Sequence, residues 1–143
     1  GIPLALVNAR MNADAFAREA TAAFERNRTR AAALPSKTVF TYHRSWSYLA
    51  DAFGLEVAAT VEPVPGIPPT AKHLASLVAT AKARKVGVLL QEPYFSAEAG
   101  RFLTRQAGLR VVTQSSACDG VEPGRYLAHF DQMFNALAGG PTP

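Results

Sequence analysis

Two residues in this sequence have the right types and positions to do chemistry together. His43 follows the apolar and β-branched run "TVFTY". Glu92 follows the apolar run "VGVLLQ". Each stands where a strand-like segment gives way to polar residues. An imidazole and a carboxylate brought to one edge of a sheet make a hard-to-borderline metal site. The same pair would equally serve as a base and an acid. The other chemistry-bearing residues are less suggestive. His73 lies early in a helical segment and reads as a surface or capping residue, and His129 beside Phe130 reads as packing or solvent-facing. Cys118 is the only cysteine, so an internal disulfide and a Cys-x-x-Cys pair are both excluded. Ser115 and Ser116 follow the last strand-like segment, with no histidine placed to serve them. No Gly-rich phosphate loop and no G-x-S-x-G elbow occurs.

The elements that must position the pair can be read from periodicity. Apolar residues at Phe16, Ala20, Ala23, Phe24 and Ala31 predict one long helix over Asn12 to Ala33, ended by Pro35. Asp14 and Arg18 are spaced to pair on it. Strands are expected at Thr38 to Tyr42, Glu56 to Val61, Lys85 to Leu90 and Arg110 to Thr113. Helices are expected at Ser45 to Phe53 with Gly54 as C-cap, from the N-cap Thr70 to Arg84, at Ala97 to Ala107 closed by Gly108, and at Arg125 to Ala138. "EPVPGIPP", from Glu62 to Pro69, reads as a rigid loop, since each proline fixes its own φ. The run "VGVLL" is apolar throughout, which suits a central parallel strand covered on both faces. Alternating strands and helices predict an α/β three-layer sandwich with a mostly parallel four-stranded sheet. Ligands in such sheets gather beyond the carboxyl ends of the strands.

Composition narrows the class. The chain has 143 residues, enough for one domain with a sizeable core, and 48% of them are hydrophobic. The net charge is +4 and the excess arginine falls between Arg18 and Arg30, on what reads as the wet side of the long helix. Nucleic-acid binding would need basic residues interleaved with aromatics, which is not the pattern here. No run approaches the roughly 18 apolar residues of a membrane span, and no signal peptide is visible.

Taken together, several strings carry a resemblance. They are "YHRSWSYLADAFGL", "VEPVPGIPPTAKHLASL", "KVGVLLQEPYF", "GLRVVTQSS" and "YLAHFDQMFNAL". In this order, over nearly all of residues 37–138, the sequence resembles the TroA-like family, the metal-binding periplasmic solute-binding proteins of zinc and manganese ABC transporters. That family also takes in cell-adhesion-like lipoproteins. The resemblance implies a two-lobed protein with a metal ion between the lobes. It implies that residues 1–36 are the connecting long helix and 37–143 the C-terminal metal-binding lobe. It implies an N-terminal lobe as well, which usually brings two histidines and which these 143 residues do not include. It further implies a histidine ligand after the first strand of this lobe, a Glu or His after a later one, and often an Asp after the last. His43 and Glu92 fall on the first two positions. The third falls near Gln114, which has no carboxylate, and Asp119 lies five residues further on. The implied cargo is Zn2+ or Mn2+, the implied partner a membrane permease, and the implied location periplasmic or otherwise extracytoplasmic. Two other readings stay open on the residues alone: a small enzyme using His43 and Glu92 as an acid–base pair, and a protein-interaction lobe that has lost metal binding.

Overall fold

The computed structural model describes residues 1–118, 120, 122 and 124–139. A helix α1 spans Leu4–Ala32 and is followed by strand β1 at Thr38–Thr41. A single 3-10 turn, Arg44–Trp46, leads into α2 at Ser47–Phe53. Then come β2 (Glu56–Thr60), α3 (Ala71–Arg84), β3 (Val88–Gln91), α4 (Glu98–Ala107), β4 (Arg110–Thr113) and α5 (Arg125–Leu137).

The four strands form one sheet in the order β2-β1-β3-β4, and every neighbouring pair is parallel. The expected α/β sandwich is therefore present, with a sheet that is wholly parallel among the described residues. The chain runs outward from β1 to β2, then returns to lay β3 on the other side of β1. That reversal puts the topological switch point between β1 and β3. It also sends the connecting helices to opposite faces, as right-handed crossovers require. On one face α1, α2 and α5 enclose Ala31, Trp46, Ala50, Leu90, Val112, Met133 and Phe134. On the other, α3 and α4 enclose Phe40, Leu77, Ala81, Leu89, Ala99 and Leu103. Successive residues Leu89 and Leu90 feed different faces, as strand pleating demands.

Several boundaries differ from the sequence expectation. α1 begins at Leu4, directly after Pro3, rather than at Asn12. Proline has the fixed φ of a helix start and needs no donor there. Only the second half of α1 is core: Ala23, Asn27 and Ala31 are buried, while Phe16 is 51% exposed. Asp14 and Arg18 form no ion pair among the described residues. Instead Arg26 and Arg30 reach across to Asp131 of α5, at 2.7 and 2.9 Å. Those two arginines thus brace two helices, where a fully solvated face was expected. β3 starts at Val88 because Lys85 takes the left-handed conformation (φ 53°) that ends α3. In α5 the apolar set holds for Met133, Phe134 and Leu137, but Tyr126 points outward, 54% exposed. No described helix is long and apolar enough to cross a membrane.

Candidate metal centre

The ladder hydrogen bonds continue past the ends of the strands, and they define the site. Tyr42 N–H donates to the Leu90 carbonyl at 2.8 Å, and Glu62 N–H to the Tyr42 carbonyl at 3.0 Å. Gln114 N–H donates to the Gln91 carbonyl, also at 3.0 Å. The last paired residues are Thr41 with Thr60, Thr41 with Leu90, and Gln91 with Thr113. Counting on from these, one row crosses the carboxyl edge of the whole sheet: Glu62, His43, Glu92, Gln114. Strand alternation puts Glu92 and Gln114 on the face of Leu90 and Val112, whereas the His43 ring lies by Phe95, which packs against the opposite cluster. His43 and Glu92 occupy the centre of the row, on either side of the switch point, where open parallel sheets bind ligands. Neighbouring strands lie about 4.8 Å apart, and β1 and β3 run side by side up to Thr41 and Leu90, two residues before His43 and Glu92.

Their environments differ sharply. Glu92 is fully buried, and neither carboxylate oxygen meets a hydrogen-bond donor. Burying such a group unpaired is costly, by kcal/mol rather than tenths. The His43 side chain is 32% exposed. Its Nδ1 lies in short contact with Glu62 Oε2. Phe95 packs beside it, with ring centroids 6.1 Å apart, and stacks on Tyr42 at 4.2 Å. Burial first, then the negative charges of Glu62 and Glu98, holds the Tyr42 phenol above its ordinary pKa.

Glu62 was not among the residues singled out in the sequence. It stands at the head of the Pro-rich loop, where the prolines dominate the local reading. Its second oxygen, Oε1, accepts from Gly66 N–H at 2.8 Å. The loop turns tightly there: Ile67 N–H donates to the Val64 carbonyl at 2.9 Å, with Pro65 and Gly66 between and Gly66 at φ 81°. This is the type II arrangement, with proline and glycine in their preferred places. His73 supports the same region. Its backbone N–H donates to the N-cap Thr70 hydroxyl, and its ring Nε2 meets the Thr60 carbonyl at 3.1 Å. Thr70 is the cap and His73 the residue it caps, while the His73 ring ties α3 to the end of β2.

At the far end of the row, Gln114 is buried and its amide donates to His129 Nδ1 at 3.3 Å. His129 therefore turns toward the sheet edge, while its ring sets edge-on against Phe130. Asp119 lies outside the described residues. Cys118 is half-buried and, as the only cysteine of the chain, forms no internal disulfide. A groove of about 650 Å³ opens between α1, α2 and α5. It is lined by Phe24, Trp46, Phe53, Tyr126 and Met133, while neither His43 nor Glu92 borders it. It is largely apolar and offers an ion little. Among the described residues, no three His, Cys, Asp or Glu side chains gather closely enough to surround an ion. The row thus aligns its polar groups without closing a cage.

A wholly parallel sheet between two layers of helices, with a switch point between β1 and β3, is an open α/β fold of the kind that takes ligands at its carboxyl edge. More specifically, the chain belongs to the family of the periplasmic zinc-uptake complex component A, ZnuA, whose model matches residues 8–140. Among solved structures, ZnuA itself superposes with a TM-score of 0.77 over 92% of this chain and 49% of that one, at 21% identity. That likeness speaks to the fold. FpvC of Pseudomonas aeruginosa, a solute-binding protein solved in complex with Mn2+, is 29% identical. Its TM-score is 0.67, covering 94% of this chain and 50% of FpvC. The laminin-binding protein Lbp of Streptococcus pyogenes is 25% identical with a TM-score of 0.73, over 91% and 52% of the two chains. This chain therefore spans about half the length of the structures it matches. Among curated protein sequences none matches it.

Proposed function

We propose that this chain is the C-terminal lobe of a metal-ion solute-binding protein, which carries Zn2+ or Mn2+ outside the cytoplasm and hands it to a membrane permease. The observation that carries this reading is Glu92, whose two carboxylate oxygens are buried without donors just past the end of β3, the strand paired with the one that precedes His43. A carboxylate desolvated in this way is poised for a cation that repays the loss of water. The family match and the manganese complex of FpvC support the same class of cargo.

His43 and Glu92 supply two ligands, whereas zinc takes about four. The rest would come from the N-terminal lobe across the cleft, or from water. Residues 1–36 then act as the connecting helix, and 37–143 as the lobe. Gln114 is a weaker donor than a carboxylate and already serves His129. Asp119, close by in sequence, is the remaining oxygen donor we would add to the set. Binding and release describe this role completely, and no catalytic step is part of it. Because the imidazole must be deprotonated to ligate, metal and protons compete for His43.

Calorimetric titration of the chain with zinc and with manganese tests the reading. Binding that is lost in both His43→Ala and Glu92→Gln supports it. Equal affinity in the wild type and both variants contradicts it.

A further inference from the structure

The contact between Glu62 and His43 leads to a second conclusion. The Glu62 side chain is only 8% exposed, and both its oxygens are engaged: Oε2 by His43 Nδ1, Oε1 by Gly66 N–H. The carboxylate is also fixed from its own backbone. The Thr60 hydroxyl donates to the Glu62 carbonyl at 2.9 Å, and His73 holds the Thr60 carbonyl in turn. Pro63, Pro65 and the type II turn stiffen the segment that follows. Glu62 is thus held from several sides and cannot easily swing away from the imidazole.

An ionised carboxylate only accepts hydrogen bonds. Its partner nitrogen must therefore carry a proton. A neutral ring has one N–H, so with Nδ1 protonated, Nε2 is left with a free lone pair. No hydrogen bond to another described residue engages Nε2, and the side chain is partly open to solvent. We infer that Glu62 is a positioning residue for His43: it accepts the Nδ1 proton, fixes the ring, and presents Nε2 as the ligating nitrogen. The Pro-rich loop thereby becomes part of the metal site without touching the ion.

The affinity part of this inference rests on the proposed function; the tautomer part does not. The test uses 15N-labelled, metal-free protein at a pH where the ring is neutral, with the ring signals assigned by their loss in His43→Ala. The expected wild-type spectrum shows Nδ1 protonated and Nε2 bare. In Glu62→Ala the proton should move substantially to Nε2. Glu62→Gln keeps an oxygen that can accept from Nδ1 and should largely restore the wild-type pattern. With zinc as probe, Glu62→Ala should lose about 10- to 100-fold in affinity, the usual cost of removing such a partner. A wild-type ring protonated at Nε2, or one tautomer shared by wild type and Glu62→Ala, overturns the inference. So does a bound ion that touches a Glu62 oxygen directly. Wild-type protein that binds no zinc at all contradicts the proposed function, while the tautomer comparison still decides the role of Glu62.

Discussion

His43 and Glu92 each stand two positions past Thr41 and Leu90, the last paired residues of the β1–β3 ladder, and the two differ completely in solvation. One is an accessible imidazole with a carboxylate behind it. The other is a carboxylate with no donor of its own. The asymmetry suits an ion that approaches from the histidine side and then draws the acidic group into contact. Glu92 must turn or be uncovered for this, so binding should bring a local rearrangement at the "QEPYF" segment.

The desolvated carboxylate should cost the empty protein stability. Glu92→Met fills a similar volume and has no polar atom to strand. We expect it to stabilise the metal-free fold by about 1–3 kcal/mol, the penalty of an unpaired buried polar group. The same variant should lose the stabilisation that zinc gives the wild type, about 2.7 kcal/mol at a hundred times the dissociation constant. Thermal melts with and without zinc read both effects. A variant that melts lower without metal would show that Glu92 supports the fold.

Asp131 sets a pH dependence remote from the site. The hydrogen bond from Arg26 is the main cause that lowers its carboxyl pKa; the Asn27 side chain and the charges of Arg26 and Arg30 add to it. A group with a depressed folded pKa stabilises fully above its unfolded value, about 3.9 for aspartate, and loses that contribution as pH falls through the folded value. Wild type should therefore be more stable than Asp131→Asn from about pH 5 upward. The gap should close on acidification. Because both arginines are partly exposed, it should also shrink in salt. Urea melts across the acid range, at low and high salt, measure it. A gap that widened toward low pH would refute the assignment.

Gly66 should matter through its backbone alone. At φ 81° it has open space where a Cβ would stand, so Gly66→Ala meets no clash. The left-handed backbone still costs a residue with a Cβ about 1–2 kcal/mol. If the turn relaxes instead, Glu62 loses its Gly66 donor and its grip on His43 loosens. Either way Gly66→Ala should be less stable than wild type in a denaturant melt, and Gly66→Asn closer to it. Equal stability of the alanine variant would mean the turn is not held in this form.

Much of this architecture was legible in the sequence, for physical reasons. β3 shows itself because both its faces are covered, leaving an unbroken apolar run around Leu89 and Leu90. Alternation of strand and helix implies parallel strands, and parallel strands put His43 and Glu92 at one edge. What the sequence hides is lateral order. The row from Glu62 to Gln114 exists only because β2, β1, β3 and β4 lie side by side in that register. No local pattern near Glu62 marks it as a partner of a histidine 19 residues earlier. The burial of Glu92 is hidden too, since a glutamate before a proline carries no local sign of being covered. α1 misled in the opposite sense. Its apolar residues extend beyond the part that meets α5, so Phe16 lies on the helical stripe yet outside the core.

The most direct test is crystallographic. Anomalous diffraction at the zinc edge from zinc-soaked protein should place one strong peak at the β1–β3 switch point, roughly 2.0–2.2 Å from His43 Nε2 and from a Glu92 oxygen. A peak bound elsewhere, or one coordinated by His43 with Glu92 still buried and apart, would contradict the account.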